Sequence, residues 1–253
     1  MCERMKTMQK TTEGLVLRAT KTGEADQILS ILTPEGIVSA AAKGSLRLKN
    51  KLFSACGLFC YSEFTLFEGK TMYSVDEASV KNVFFGLHQD ITAMALAMYC
   101  SEIASTLAPA DEEAAAQLRL LLNTFFVLSQ QNKPPRLVKA AYELRTLSQV
   151  GFMPDLVACT DCARYDGTPF CFDVEGARLF CAECAAKRGL AVNLSPAALA
   201  AMRHIVYSDD KKIFAFTLGE EALAQLSLAA GQYTAVCLDK PMKTLSFLET
   251  ILT

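Results

Sequence analysis

Two closely spaced pairs of cysteines constrain the fold of this chain more than any other feature. Cys159 and Cys162 form the first pair, Cys181 and Cys184 form the second, and 18 residues separate the pairs. Two residues between cysteines make a tight turn that aims both thiolates at one point, and two such turns supply the four sulfurs of a tetrahedral zinc site. The intervening segment has the pattern of a β-hairpin that turns at Glu175-Gly176, so the sequence predicts a small zinc ribbon.

The remaining six cysteines have a different pattern. Cys171 lies within a predicted strand, outside both pairs, and we interpret it as a packing residue. The others are scattered, mostly among apolar neighbours, as is typical of small buried side chains: Cys2, Cys56, Cys60, Cys100 and Cys237. The alternative for the two pairs themselves is a chance cluster of buried thiols, because the chain has ten cysteines in all.

The N-terminal sequence and the hydropathy pattern favour a cytoplasmic protein. The first ten residues are polar and charged, without the apolar run of a secretory signal. The longest uncharged stretch, residues 222–238, is shorter and more polar than the ~20 apolar residues that a membrane span requires. We therefore expect no membrane association, and in a reducing cytoplasm paired cysteines are more typical of metal sites than of disulfides.

The metal site has the composition of a structural centre. A hydrolytic zinc keeps an open coordination position, whereas four thiolates close the coordination shell. Neither His88-Gln89-Asp90 nor His204-Ile205-Val206 supplies the H-x-E motif of zinc deaminases. The sequence also contains no phosphate-binding glycine loop, no Ser/His/Asp set and no paired-carboxylate motif. We therefore predict that the protein is not an enzyme.

Hydrophobic patterning divides the chain into two parts. Five short apolar runs between residues 11 and 79 predict β-strands, and a turn at Glu68-Gly69-Lys70 joins the last two into a hairpin. Five strands in so short a segment predict a barrel of the oligonucleotide-binding (OB) type. We therefore predict an α+β protein with an N-terminal OB-fold β-barrel at residues 1–80. An all-α domain follows at 81–253, interrupted by a zinc-binding module at 155–190.

Helix-capping residues and apolar residues at helical spacing predict the helices of the second part. Pro134-Pro135 and Ser195-Pro196 each predict a helix start, because proline is favoured at the first helical position. Asp111 predicts another start, with two glutamates in its first turn, and Gly151 predicts a helix end. Further helices are predicted around 91–103, at 220–236 and at 242–252.

A segment without acidic residues lies in the N-terminal part. Between Gly36 and Ser62 there is no Asp or Glu, and four cations fall there: Lys43, Arg47, Lys49 and Lys51. Residues 1–85 contain 11 Lys and Arg against 9 Asp and Glu, a net charge of +2, whereas the rest has 14 against 18, a net charge of −4. The pattern fits a loop that contacts nucleic-acid phosphates and an ordinary solvated loop equally well.

Two further sets of residues are candidates for binding. Aromatic residues on the neighbouring strands are candidates for base stacking, although core packing is the favoured interpretation of each: Phe59, Tyr61, Phe64 and Tyr73. A second basic run contains Lys133, Arg136, Lys139 and Arg145. Arg136 and Lys139 are three positions apart and can share one face of a helix, although the pattern favours an ordinary solvated helix face.

Several short motifs follow one another in a specific order along the chain. They are Glu13-Gly-Leu-Val-Leu-Arg18, Gly23-Glu-Ala-Asp-Gln-Ile28, Thr33-Pro-Glu-Gly36 and Ala42-Lys-Gly44, then the four-cysteine module and Lys243-Thr-Leu-Ser-Phe-Leu248. This order resembles the RecO family of DNA-repair and recombination mediators, over essentially the whole chain. The resemblance implies an N-terminal OB-fold and a helical domain with an inserted zinc ribbon, in which one Zn²⁺ is a structural aid.

The resemblance also implies a function. It implies binding of single- and double-stranded DNA, annealing of complementary strands and, with RecR, help in loading RecA onto DNA coated by single-strand-binding protein. Carried over to this chain, the DNA-binding face includes Arg18, Lys43, Arg47, Lys49 and Lys51. The second basic run, represented by Arg136, Lys139 and Arg145, is a candidate receptor for the acidic C-terminal tail of single-strand-binding protein. Such a protein is expected in the bacterial cytoplasm, at the nucleoid when it is on DNA.

One departure from the family pattern lowers the expected affinity for DNA. Where the family often continues with a denser run of cations after Lys43-Gly44, this chain has Ser45, Leu46 and Leu48. We expect weak, salt-sensitive binding, because each phosphate contact contributes to the salt dependence. The alternative function is a protein-interaction adaptor that has a structural zinc and does not bind DNA, which the nearly neutral net charge of −2 favours.

Overall fold

The N-terminal part of the chain is built on five β-strands. The computed structural model describes residues 9–108 and 114–252. The strands are β1 (Gln9–Thr22), β2 (Asp26–Thr33), β3 (Gly36–Ala42), β4 (Cys60–Glu68) and β5 (Tyr73–Val83), with a short helix α1 (Leu52–Ala55) between β3 and β4. All five predicted strands are present, whereas the sequence analysis did not anticipate α1.

The pairing of these strands closes the sheet into a barrel. The order is β1-β2-β3-β5-β4, and β4 pairs back onto β1. Every neighbouring pair is antiparallel except β3 and β5, which run parallel and pair only at Ala40–Tyr73 and Ala41–Ser74. A five-stranded barrel with this single parallel join is OB-like, as predicted.

Alternating side chains of the strands fill the barrel. Its core contains Val16, Leu29, Ile31, Phe64 and Leu66, together with small residues of β3. Phe59 is also buried, and its ring lies edge-on to Phe125, with 5.0 Å between the ring centroids. Phe59 and Phe64 are therefore packing residues and not base-stacking surfaces, because neither ring reaches solvent.

The chain divides into two compact units. The first contains the residues up to Gln89 together with Ser101–Phe125, and the second contains Asp90–Cys100 and the chain from Phe126 onward. A 3₁₀ helix at Phe85–His88 follows the barrel. The longer helices are α2 (Ile91–Leu107), α3 (Ala114–Gln130), α4 (Pro135–Gln149), α6 (Pro196–Tyr207), α7 (Glu220–Leu238) and α8 (Leu245–Leu252), and a short α5 (Ala182–Lys187) lies between α4 and α6.

Helix α4 forms the centre of the second unit. Most of its residues are buried, and it packs against α6 and α7. Its start at Pro134-Pro135 agrees with the prediction, and its end agrees as well, since Gly151 has φ +96° in the left-handed region. The Ser195 side chain caps α6 by accepting the Ala198 N–H, as predicted. The predicted helix start at Asp111 lies outside the described residues.

A two-stranded hairpin interrupts the helices. It consists of β6 (Phe170–Asp173) and β7 (Arg178–Cys181), which pair antiparallel around the predicted turn. Phe170, Phe172, Leu179 and Phe180 are buried, so this small element has an apolar core of its own. Helix α5 follows β7 directly, and it was not predicted from the sequence.

Candidate metal centre and nucleic-acid interface

The hairpin positions both cysteine pairs. Cys159 lies beside β7, where it forms a bridge with Leu179, and the Thr160 N–H donates to the Leu179 carbonyl at 2.9 Å. Cys181 is the last residue of β7, and Cys184 lies in the first turn of α5. The end of β7 and the start of α5 therefore carry the second pair, and β7 holds the start of the first pair against its side.

The four sulfur atoms form a cluster of the right size for a metal ion. The Sγ atoms of Cys159, Cys162, Cys181 and Cys184 all lie within 4.8 Å of one another. Cys162 Sγ and Cys181 Sγ are 3.6 Å apart. A tetrahedral site with zinc–sulfur bonds of about 2.3 Å requires sulfurs about 3.8 Å apart, so the cluster fits a thiolate-bound ion.

The pKa values of these thiols differ, so some of them lose a proton more readily than others. Burial raises the pKa of Cys159, but hydrogen bonds from the backbone N–H groups of Cys181, Cys162 and Asp161 outweigh burial and lower it to about 6. Burial and the neighbouring thiol of Cys162 raise the pKa of Cys184 to about 12. Four adjacent thiolates repel one another, so full ionisation of the cluster requires a bound cation.

Two ion pairs connect the cysteine turns to each other. The Arg188 guanidinium donates two hydrogen bonds of 2.7 Å to the carboxylate of Asp161, which lies inside the first turn. Arg164 donates to Glu183 of the second turn at 2.9 Å. Arg188 also lies over the Phe180 ring, 4.6 Å from its centroid. These residues could not be predicted from the sequence, because nothing in their spacing marks them as partners.

The other cysteines lie away from the cluster. Cys171 is buried in β6, opposite Phe180, and burial raises the pKa of its thiol. Cys56, Cys60 and Cys100 are buried and Cys237 is half-buried, in agreement with packing roles. Cys2 lies outside the described residues.

The basic loop, residues 43–51, connects β3 to α1 and carries four of the predicted DNA-binding cations. Lys43, Arg47, Lys49 and Lys51 are all exposed, and none forms an ion pair within the described ranges of the chain. Arg18 is exposed as well, on β1 opposite Ser30. The structure thus brings four of the five predicted residues together on one loop and places the fifth on a strand.

Hydrogen bonds hold the basic loop against the turn between β1 and β2. The Gly44 N–H donates to Asp26 Oδ1 at 2.7 Å, and the Leu46 N–H donates to the Ala25 carbonyl at 3.0 Å. Gly44 has φ +67°, a conformation that favours glycine. The Asn50 side chain accepts the Leu52 N–H at 2.9 Å and so closes the end of the loop at α1. The loop is therefore an ordered platform.

A groove of about 570 Å³ borders the basic loop. Lys43 and Lys51 line one part of it, and Glu63, Asp76 and Glu77 of β4 and β5 line another. The groove therefore has cations and carboxylates facing the same space, which the sequence analysis missed because the acidic residues lie outside the basic segment. Carboxylates beside a polyanion site weaken its attraction, so the groove favours phosphates on the loop side only.

The second basic run has internal partners. Lys139 is buried on α4, donates to Glu143 Oε1 at 2.6 Å, and lies 5.3 Å from the Tyr99 ring centroid. Arg145 donates to Asp210 Oδ1 at 2.6 and 2.8 Å and to the Val206 carbonyl at 2.7 Å. The contact with Tyr99 joins α4 to α2, and the Arg145 bonds join α4 to α6 and the segment after it, so part of the run stabilises the helical unit.

Arg136 and Lys139 nevertheless line one groove together. Its volume is about 920 Å³, and it lies between α4, α7 and α8. Apolar side chains such as Leu228, Leu238 and Leu245 form much of its wall. Arg145 is not among its lining residues, so the structure separates Arg145 from the other two predicted partner-binding residues.

Comparison with known proteins places these two sites in one family. A family model described as the N-terminal part of recombination protein O matches residues 5–84, and one described as its C-terminal part matches residues 88–246. The chain belongs to the RecO family. The match includes both the barrel with its basic loop and the helical unit with its four-cysteine cluster.

Curated relatives match along nearly their full length. The DNA repair protein RecO of Acetivibrio thermocellus is 32% identical over 95% of this chain and 96% of its own. The proteins of the same name from Symbiobacterium thermophilum and Dehalococcoides mccartyi are 29% and 30% identical, over 94% and 95% of this chain and 96% and 95% of their own. These findings confirm the resemblance seen in the ordered motifs. Among the described residues, no helix combines the length and the hydropathy that a membrane span needs.

Proposed function

We propose that this RecO-family protein is a DNA repair and recombination mediator that binds single- and double-stranded DNA and anneals complementary strands. The exposed, unpaired cations of the basic loop are the single observation that carries the proposal. Arg18 adds one more exposed cation, on β1. The protein works without catalysis, in the bacterial cytoplasm, and at the nucleoid when it is on DNA.

Counterion release supplies the binding free energy in this proposal. Cations that contact phosphates release the ions condensed on DNA, so affinity falls as salt rises. The hydrogen bonds to Asp26 and Ala25 hold the loop in place before DNA arrives. A held loop loses less conformational entropy on binding than a flexible one, which partly compensates for the small number of cations.

The proposal extends to the family's partners. With RecR, the protein would help to load RecA onto DNA covered by single-strand-binding protein. Strand annealing requires a surface that binds both strands and neutralises their phosphates whatever their base sequence. Contacts to phosphates bind DNA without reading its sequence. The carboxylates that border the loop keep the affinity low enough for DNA to be handed on.

An annealing assay tests this function. Two labelled complementary strands are mixed with the wild-type protein, the triple variant Lys43→Ala/Arg47→Ala/Lys49→Ala, and a control variant at low and moderate salt. The control, Arg119→Ala/Lys187→Ala/Lys211→Ala, removes the same charges from exposed positions elsewhere. We expect the wild type and the control to accelerate annealing and the loop variant to lose most of this activity. An inactive wild type would leave the adaptor function as the better explanation.

We also propose that the groove between α4, α7 and α8 binds the acidic C-terminal tail of single-strand-binding protein. Arg136 and Lys139 both line the groove, but Lys139 is paired with Glu143, so the exposed Arg136 supplies the available positive charge, and the apolar wall can take side chains of a peptide. A labelled tail peptide should bind several-fold more weakly to Arg136→Ala and more tightly to Glu249→Gln, because Glu249 lines the same groove. Equal affinity of all three proteins would exclude this groove as the site.

The metal in the four-cysteine cluster is proposed to be one structural Zn²⁺. Four thiolates within 4.8 Å of one another match the tetrahedral ligand set that zinc prefers, and such a set leaves no open position for catalysis. When bound, the ion would neutralise the thiolates and stabilise a module too small to depend on its apolar core alone. Elemental analysis should give one zinc per chain, and Cys184→Ser should lose it together with the module's resistance to proteolysis. A metal-free protein that keeps an intact module would contradict the assignment.

A further inference from the structure

One apolar side chain in the basic loop projects into solvent. Leu48 lies between Arg47 and Lys49 and is 82% exposed, the largest exposed fraction that any large hydrophobic residue has in the described part of the chain. Contact of a leucine side chain with water is unfavourable, and isolated examples on protein surfaces are ordinary. Leu48 differs from such examples because a hydrogen-bonded turn holds its backbone and because a cation precedes and follows it in the chain.

A hydrogen-bonded turn holds Leu48 in this position. The Asn50 N–H donates to the Arg47 carbonyl at 2.8 Å, so Leu48 and Lys49 are the central residues of a closed turn. The Arg47 N–H donates in turn to the Gly44 carbonyl at 3.0 Å. These bonds fix the direction of the backbone at Leu48, whose side chain is exposed in this turn.

The charges around Leu48 identify the ligand that fits it. Arg47 and Lys49 flank the leucine, and Lys43 and Lys51 lie at the ends of the same loop. An anionic polymer with flat apolar surfaces matches this arrangement, since its phosphates meet the cations while an unpaired base meets the leucine. In duplex DNA the base faces are stacked on one another, so only a single strand offers such a surface without unstacking.

We propose that Leu48 packs on an unpaired nucleobase of single-stranded DNA while the flanking cations hold the adjacent phosphates. The proposal rests on the DNA-binding function proposed above and names the contact that makes the loop prefer single strands. Leu48 contributes no charge, so its contribution to affinity is independent of salt. The cations, in contrast, set the slope of affinity against salt concentration.

Three probes of equal length separate base contact from phosphate contact. They are an oligothymidylate, an abasic strand with the same number of phosphates, and a duplex, each carrying a fluorescent label. Binding is measured over a range of salt concentrations for the wild type, Leu48→Ala, Leu48→Met and a control, Phe85→Ala. Phe85 is 69% exposed in the same unit but outside the loop. Circular dichroism establishes that each variant is folded.

The wild type should bind the oligothymidylate about fivefold more tightly than the abasic strand. Leu48→Ala should lose this preference while its affinity for the abasic strand and the duplex, and its salt slope, stay unchanged. Leu48→Met should retain the preference, because methionine offers a similar apolar surface, and Phe85→Ala should behave as the wild type does.

Two results would overturn the assignment of Leu48. One is an unchanged preference in Leu48→Ala, and the other is an equal loss of affinity for all three probes, which would mean that Leu48 shapes the loop instead of contacting a base. A wild type with equal affinity for the oligothymidylate and the abasic strand would also exclude base contact. If the wild type binds none of the probes at low salt, the DNA-binding function itself fails.

Discussion

The two basic segments of this protein look alike in sequence and have different surroundings in the structure. The cations of the basic loop, residues 43–51, are exposed and form no ion pair within the described ranges. Lys139 and Arg145 of α4, by contrast, are held by Glu143 and Asp210. The loop therefore has charge available for a ligand, whereas the helix uses most of its charge to hold the fold together.

The difference follows from where each segment lies. A loop between a strand and a short helix has one side in solvent, so long side chains can remain hydrated. A helix at the centre of a unit must bury its face, and a buried cation then needs an acceptor within hydrogen-bond reach. Substitutions in the two segments should consequently separate stability from DNA binding.

The largest expected effect on stability is that of Lys139→Ala. This change leaves the Glu143 carboxylate buried without its cation, and we expect a loss of about 3 kcal/mol in the free energy of unfolding. Urea denaturation measures it. The Tyr99 hydroxyl also donates to Glu143, so the triple variant Lys139→Met/Glu143→Leu/Tyr99→Phe should recover most of the loss, because all three polar partners are then replaced by apolar side chains. No recovery would mean that the pair itself stabilises the unit.

The same variant should show a dependence on pH. Burial raises the pKa of Glu143 from its ordinary value of 4.5, even with Lys139 present to lower it. Without Lys139 the pKa rises further, and the folded state then binds a proton that the unfolded state releases. The destabilisation should therefore be smallest in acid and should grow as the pH rises above 4.5. A loss that is constant with pH would contradict the role assigned to Glu143.

Arg145→Ala should have the next largest effect. It removes the bonds to Asp210 and to the Val206 carbonyl at the end of α6, and we expect a loss of about 1.5 kcal/mol. In a double-mutant cycle, Asp210→Ala should cost little once Arg145 is absent. Full additivity of the two changes would show that the ion pair contributes nothing.

Gly44→Ala should destabilise the loop by about 1 kcal/mol and weaken DNA binding as well. A Cβ atom there would lie 2.8 Å from Asn50 Nδ2, in a residue with φ +67°. Gly23→Ala is a matched control, because its φ is +61° and its Cβ would meet nothing within 4 Å. Both should lose similar stability through backbone strain, but only Gly44→Ala should reduce affinity for DNA. Equal affinities of the two variants for DNA would show that the shape of the basic loop is unimportant for DNA binding.

The smallest effect on stability belongs to the loop cations. Lys49→Ala should change the free energy of unfolding by less than about 0.5 kcal/mol, because the side chain is exposed. Its affinity for single-stranded DNA should lose about 0.7 from the slope of log affinity against log salt, the value for one phosphate contact. An unchanged slope would remove Lys49 from the interface.

Local sequence signals predicted most of the fold. These signals each involve only a few neighbouring residues, and the structure has the corresponding elements. They are the alternation of the strands, the helix starts at Pro134-Pro135 and Ser195-Pro196, and the cysteine spacing. The short helices α1 and α5 were missed, since a single turn of helix has too little periodicity to detect. Their existence depends on tertiary contacts instead, as for α1, whose Leu52 packs in the barrel core.

The sites were predictable to different degrees. The four cysteines were found because a metal site fixes its ligands at short spacing. The acidic border of the basic loop and the internal partners of Lys139 and Arg145 were not found, because residues far apart in sequence create them. A run of cations therefore predicts a charged surface only when the structure shows that nothing within the protein neutralises it.

The barrel has one join that is much shorter than the others. Strands β3 and β5 meet only at Ala40–Tyr73 and Ala41–Ser74, whereas each antiparallel neighbour pairs along most of its length. Thermal fluctuation should part the ring there first, so the amide protons of this join should exchange with deuterium sooner than those of β1 and β2. We therefore expect the most easily reached open form of the barrel to be a curled sheet with two free edges, one along β3 and one along β5.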